Sequence, residues 1–558
     1  MINVRLLRLA VMTVLLLLAT VTQGVPARPG TWRVLTLDDG SEVRAQLVGD
    51  ERTHYWQTAD GRCFTGTDGH YTEVQPQTLA RRRAQHEQAR LARQREKGSH
   101  IVHTYTGHRK GIAILVDFPD CRFAKGHDQA YYQEVFNTPG FSSDEGYKGS
   151  VYDYFLDQSY GQFHLTFDVT GPVTMPEKYA YYGRDSKTDA DDIDQLLGTL
   201  IVTACRETLD TLDLSAYDWN GDGEVDQILI IYAGKGQADG GSENTIWPQE
   251  WELSQTNYKK RLKMNNYYIN TYSCTNELSG RGVAAGIGTM CHEYSHCLGL
   301  PDLYDVYYGG NYGMKRWSLM DSGSYNGNGF VPAGYSAFER MSCGWLTPTP
   351  LVADTVVTDI QPLVLTPEAY IISNEACPDE FYLLENRQPI SWDAGLPGRG
   401  MLIFHVDYDE EVWKNNEVNS TAKGTETGND HQRCTIFLAD NRTTSQSRDA
   451  YPSEGNDSLT ANSAPAAMWY NAYADSSHKA RIAITNITLQ KDSLMSFRFQ
   501  TVKSTPQHLI PNSIPPTPNT QHPTPNIYTL EGQYMGTDLS RLPRGVYICN
   551  RKIIIKKE

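Results

Sequence analysis

Beyond its first two dozen residues the chain lacks any uninterrupted apolar run approaching the 18 or so residues that cross a bilayer, so no integral membrane segment is expected. It also lacks an excess of positive charge. Its 50 Lys and Arg stand against 66 Asp and Glu, a formal charge of -16, and such a surface repels phosphate backbones. No nucleic-acid partner is therefore expected. The ten cysteines are too sparse for a disulfide framework in 558 residues, and their spacings do not repeat. What the chain does have is length for three or four folded units, and enough apolar residues, 39%, to give each a core.

The first 24 residues read as an export signal. Arg5 and Arg8 precede the apolar run Leu9 to Leu18, cleavage is expected near Gly24 or Ala27, and no cysteine nearby offers a lipid attachment point. Residues 25–100 divide into a β-rich module with turns at Asp38-Asp-Gly and Asp60-Gly, then an arginine-dense helical linker from Thr78 to Lys97. Residues 101–348 mix strands and helices in an α+β manner. A buried strand is expected at Gly111 to Asp120, a helix from Ser150 to Gly161, a second helix between Asp191 and Leu209, and a strand at Gln227 to Ala233. From 349 to 500 alternating runs such as Glu380-Phe-Tyr-Leu-Leu-Glu predict an antiparallel β-sandwich. Residues 501–526 form a Pro-rich linker, and 527–558 a short β module that resembles abbreviated C-terminal sorting domains of secreted proteins.

The stretch that carries chemistry is Thr289-Met-Cys-His-Glu-Tyr-Ser-His-Cys-Leu-Gly-Leu-Pro-Asp302. On a helix, a spacing of four puts His292 and His296 on one face, within reach of a single zinc ion. Glu293, turned about 100° away, is free to act as general base toward a metal-activated water. Gly299 ends the helix in a left-handed turn and brings the chain back, so that Asp302 can be a third ligand; Asp305 is the competing candidate. Three protein ligands leave a fourth position open for catalysis. Met320, in Trp317-Ser-Leu-Met-Asp-Ser-Gly, sits where metzincins carry a methionine turn. Tyr325 is the candidate oxyanion donor, with Tyr304, Tyr307 and Tyr312 as neighbours in sequence that compete for the role. Cys291 and Cys297 flank the histidines but face away from both imidazoles, and are expected to be buried free thiols.

A second candidate metal site is Asp218-Trp-Asn-Gly-Asp-Gly-Glu-Val-Asp226. Asp218, Asn220, Asp222 and Asp226 fall at positions one, three, five and nine of a calcium loop, with Gly223 at six. The acidic twelfth position is missing, being Leu229. His405 and Asp407 share one side of a strand and are expected to be a structural pair rather than a further metal site.

These motifs, with Leu115-Val-Asp-Phe-Pro-Asp, Gln158-Ser-Tyr-Gly-Gln-Phe, Trp247-Pro, Gly344-Trp-Leu, Tyr382-Leu-Leu-Glu-Asn-Arg-Gln and Gly400-Met-Leu-Ile-Phe-His-Val-Asp407, occur in one order. From about Ile112 to about Phe499 the chain resembles the immune inhibitor A type of secreted bacterial metallopeptidases. The resemblance implies a zincin or metzincin-like catalytic domain that cleaves protein or peptide substrates, with Zn2+ on His292, His296 and an acidic residue, Glu293 as base, and bound Ca2+. It also makes the N-terminal module a pro-segment that keeps an exported zymogen latent. A thiolate cap on the zinc from Cys63 is not favoured, since a single cysteine stands there with no switch motif around it. The C-terminal module would support attachment at the cell surface. Two other readings are a non-catalytic adhesion protein on the same scaffold and a zinc hydrolase of a non-protein substrate.

Overall fold

A five-stranded sheet buried on both faces sets the position of everything near the histidine motif. The computed structural model describes residues 24–502, apart from 68–69, 77, 80–104, 186–193, 422–424 and 426, and beyond 502 the backbone of four short strands between 527 and 556. In the central sheet Gly107–Asp117 pairs in parallel with Phe163–Thr174 and with Ile228–Lys235. Ile228–Lys235 pairs in parallel with Thr271–Leu278, and Gln249–Glu252 closes the edge antiparallel. Alternation along the strands divides two cores. Ala113, Leu115, Leu229 and Ile231 face one core with the motif helix, whereas Ile112, Ile114, Ile228 and Ile230 face the helix Leu197–Thr208.

The helices start where local chemistry allows. Val151–Gln158 opens on a capping box in which Ser150 and Asp153 satisfy each other's backbone N–H. The expected helix between Asp191 and Leu209 begins later, at Leu197; residues 191–193 lie outside the described residues. Most of the basic linker, 80–104, lies outside them too.

The N-terminal module is a meander of five antiparallel strands from Trp32–Thr36 to His70–Val74. Its small core is completed by two residues of the following part, Ala238 and Trp247. From 349 onward two sheets face each other, one of five strands and one of four. Tyr382, Leu384, Met401 and Ile403 meet Ile484, Phe497 and Phe499 between them. The alternate residues Phe381, Leu383, Leu402 and Phe404 point the other way, into the core that contains the motif helix. This explains the apolar runs Phe381 to Leu384 and Met401 to Phe404 within the strands Glu380–Arg387 and Gly400–Asp407, whose residues are all buried. The boundary at 348 is therefore a packed seam, and the described residues from 24 to 502 form one compact unit. Ser504–Glu558 is a second unit, with a sheet in which Ile527–Thr529 and Gly545–Cys549 are the inner strands.

One buried cation fastens the seam. Arg387 is fully buried and donates to both oxygens of Asp393 at 2.7 Å, to Glu385 at 3.0 Å, and to the carbonyls of Trp317 and Gly334. Every guanidinium nitrogen is thus used, which offsets its desolvation. Removing it leaves two buried carboxylates without their cation. Arg387→Ala should cost about 3–5 kcal/mol, seen as a large fall in the midpoint of thermal unfolding; an unchanged midpoint would contradict the assigned role.

Candidate metal centre and catalytic site

The motif helix, Gly288–Cys297, is buried except for its last residue. Its first residue must be glycine for steric reasons: a Cβ on Gly288 would stand 1.9 Å from the Ser324 carbonyl oxygen. The other end is a Schellman turn. Gly299 takes φ +83, its N–H donates to the His296 carbonyl, and the Leu300 N–H donates to Ser295. That reversal carries Leu300 and Asp302 back over the helix.

Both imidazoles are oriented from behind. His292 Nδ1 lies 2.8 Å from the Leu319 carbonyl and His296 Nδ1 2.8 Å from that of Leu300. A carbonyl only accepts, so each Nδ1 carries the proton and each Nε2 presents a lone pair. The two Nε2 atoms face each other at 3.2 Å, and Asp302 Oδ1 stands 3.3 and 3.6 Å from them. Asp302 Oδ1 is buried and has no hydrogen-bond partner. Its other oxygen accepts from Asn416 Nδ2 at 2.6 Å, while Asn416 Oδ1 receives the Asp302 N–H at 2.7 Å. Three acceptors converge there, with Asp302 Oδ1 unpartnered among the described residues, and this set of ligand atoms suits a divalent metal.

Carboxylates crowd the same place. Burial and then the nearby Asp302 and Glu51 push the Glu293 carboxyl well above its ordinary range. Glu51 is pushed up as well, by burial first and then by Asp50. Among the described residues, His292, Glu293 and His296 are the group whose ligand atoms lie within 4.8 Å of one another.

Asp305 lies elsewhere. Its carboxylate accepts from the N–H of Tyr307 and Asn311 and from Ser420 Oγ, which ties down the loop beyond the helix. Met320 is fully buried beside Leu319, so the methionine turn delivers the carbonyl that orients His292. Cys291 is buried and its thiol pKa is raised by that burial. Cys63 is held in the N-terminal sheet by Gln57 and the Gly61 carbonyl.

The N-terminal segment lies across this centre. The Val25 N–H donates to Glu293 Oε1 at 3.0 Å, and the carbonyl of the preceding Gly24 accepts from Tyr304 OH at 2.7 Å. Trp247 Nε1 donates to the Val25 carbonyl and Tyr325 OH to that of Pro26. Tyr304 thus faces the peptide bond that Glu293 touches, and Tyr325 faces one two residues further on. Tyr307 and Tyr312 are engaged with Glu417 and Asp449. Glu51 and Arg52 close the opening: Arg52 Nη2 is 3.9 Å from Asp302 Oδ2, and Arg52 Nε pairs with Glu51 Oε1 at 3.1 Å. Sequence reasoning missed Asn416, Leu300, Leu319 and Glu51, because two act through backbone carbonyls and two come from distant segments.

The Asp218 loop is wound around its own side chains. Asp218 accepts from the N–H of Gly221, Asp222 and Gly223, and Asn220 and Asp222 accept from Asp222 and Glu224. Burial raises the Asp226 pKa to about 6, against the hydrogen bond from the Trp219 N–H. His405 and Asp407 do not pair with each other: His405 bonds Glu380 at 2.7 Å, and Asp407 bonds His431 and Arg433.

Comparison with known proteins finds metallopeptidases. The chain is 27% identical over 271 residues to a pre-pro-metalloprotease, PrtV, of Vibrio cholerae, covering 41% of this chain and 29% of that protein. It is 28% identical over 262 residues to immune inhibitor A of Bacillus thuringiensis, covering 41% of this chain and 38% of that protein. The matches thus span less than two-fifths of either relative. Residues 103–345, which hold the central sheet, the motif helix and the methionine turn, match the catalytic domain of the immune inhibitor A (M6) peptidases.

Proposed function

We propose that the chain is a secreted zinc endopeptidase made as a latent precursor. The observation that carries this is the convergence of His292 Nε2, His296 Nε2 and Asp302 Oδ1 beside a glutamate that already holds a peptide N–H. His292, His296 and Asp302 would hold the metal. Bound there, zinc supplies a Lewis acid and brings the pKa of a coordinated water to about 7.

The rest of the chemistry falls to side chains. Glu293 takes the proton of the attacking water and returns it to the amide nitrogen, a transfer matched by the position of Oε1 against the Val25 N–H. Tyr304, rather than Tyr325, donates to the carbonyl that becomes the oxyanion, as it does to the Gly24 carbonyl. Trp247 and Tyr325 align the chain on the leaving-group side. A binding or adhesion scaffold has no use for Glu293 set against a peptide nitrogen.

The N-terminal module supports latency. Its leading segment fills the position of a substrate, and Glu51 and Arg52 cover the acceptors. A relative named as a pre-pro-metalloprotease agrees with export and processing. The layout of the central sheet and the methionine turn support a metzincin-like arrangement. The Asp218 loop is read as a calcium site in which Asp218, Asn220, Asp222 and Asp226 would hold the ion. The 527–558 sheet is read as a sorting module, a role on which the relatives' names are silent.

Glu293→Ala should keep about one zinc per chain by metal analysis and lose at least about 10²-fold in cleavage of an unfolded protein. Retained activity would overturn the mechanism. Tyr304→Phe should lower kcat by about 10²-fold while Tyr325→Phe does much less; the reverse order would return the oxyanion role to Tyr325. Calcium should raise the unfolding midpoint of the wild type and leave that of Asp218→Ala unmoved, and an equal rise in both would remove the calcium reading.

A further inference from the structure

The segment crossing the site is fastened by a side chain as well as by its backbone. Arg28 Nη1 lies 2.9 Å from both oxygens of Asp239, its guanidinium sits 5.3 Å over the ring of Tyr325, and Nη2 is 3.5 Å from Asn328 Oδ1. The pair is well shielded, with side-chain exposures of 15% and 7%. Asp239, Tyr325 and Asn328 all belong to the part of the chain that matches the peptidase domain. The Arg28 N–H also donates to the Ala238 carbonyl, so backbone and side chain dock at one turn. That turn, Gln237–Asp239, is rigid: Gly240 closes it with φ +88.

The register is set by Glu293. Its contact with the Val25 N–H makes Val25 the counterpart of the first residue after a scissile bond, which makes Arg28 the fourth. Arg28 is the sole cation between Gly24 and Thr31, so its placement over the buried carboxylate is specific. Partial burial strengthens such a pair well beyond the worth of an exposed ion pair, and the aromatic face adds to it. Burial raises the Asp239 carboxyl, and Arg28 is the main influence that draws it back, with the Gly280 N–H and Arg281 adding less, so the pocket is matched to a cation.

We propose that Asp239, with Tyr325 and Asn328, forms a subsite for a basic side chain of the substrate, four residues to the leaving-group side of the cleaved bond, and that Arg28 fills it in the latent chain as an internal substitute. This rests on the peptidase reading. It adds a preference for Arg or Lys at a defined position, and it gives the enzyme and its N-terminal module one shared recognition element.

The test uses the full-length chain, activated by limited proteolysis within the arginine-rich stretch 80–97 and freed of the activating protease. Quenched fluorescent peptides containing Gly-Val-Pro-Ala-X are compared with X as Arg, Lys, Ala and Glu. We expect kcat/KM to fall about ten-fold from Arg to Ala and further for Glu, and the Arg-to-Ala ratio to collapse to about one in Asp239→Asn. Each variant is referred to its own Ala peptide, so a smaller active fraction does not alter the ratio. Equal rates for every X in the wild type overturn the subsite, as does an undiminished ratio in Asp239→Asn. If no peptide of any kind is cleaved, the peptidase reading falls instead. The Asp239 site is then decided by calorimetry with the peptide Val-Pro-Ala-Arg, whose equal binding to wild type and Asp239→Asn also overturns it.

Discussion

Two imidazole nitrogens and a carboxylate oxygen, all lone pairs, aimed at one buried point within 3.2 to 3.6 Å of each other, are the constraint on which the structure depends. Left alone they repel, and burying them together is costly. The fold holds them there with protein groups placed behind them. Leu319 and Leu300 fix the two rings, and Asn416 fixes the carboxylate. Each of these supports comes from a different piece of chain, so the centre is assembled by the whole unit and not by the helix that carries the histidines.

The β-sandwich is part of that assembly. Asn416 lies just beyond the short helix Glu410–Lys414, and its backbone takes φ 53 to bring its amide onto Asp302. Arg387, on an inner strand of the sandwich, grips the carbonyls of Trp317 and Gly334. Trp317 leads into the turn whose Leu319 carbonyl orients His292. Two hydrogen bonds joined by the short backbone stretch from Trp317 to Leu319 therefore link an inner strand of the sandwich to the His292 ring. Because the shared face of Phe381, Leu383, Leu402 and Phe404 is buried against the motif helix, the two parts are one cooperative structure.

Inhibition and recognition use the same groups in the proposed reading. The groups that touch Gly24 to Arg28 are a general base, two tyrosines, a tryptophan and an aspartate. The base, the tyrosines and the tryptophan contact backbone amides and carbonyls, which every substrate possesses, whereas the aspartate reads the Arg28 side chain and the Val25 side chain is buried in a cluster with Ala238 and Trp247. The cost of this economy is a site crowded with carboxylates, where burial drives Glu51 and Glu293 toward the protonated state, Asp50 adding to the first and Asp302 to the second. A divalent cation relieves that strain, and so does departure of the module that contributes Glu51.

Much of the local structure was legible in the sequence. The strand at Ile112 to Val116, the capped helix after Ser150 and the left-handed turn at Gly299 follow from continuous apolar runs, a serine with an acid three residues on, and a glycine after a helix. Spacing alone placed His292 and His296 on one face. What it left open was every relation between distant segments. The choice between Asp302 and Asp305 turns on Asn416 and Ser420, more than 100 residues away. That between Tyr304 and Tyr325 turns on where Gly24 to Pro26 lie. The sequence by itself determined which residues are able to hold a metal and move a proton, because those capacities are chemical and local. Only the tertiary structure decided which of them meet and what covers them, because side chains far apart in the chain are brought together by the packing of sheets that no short pattern encodes.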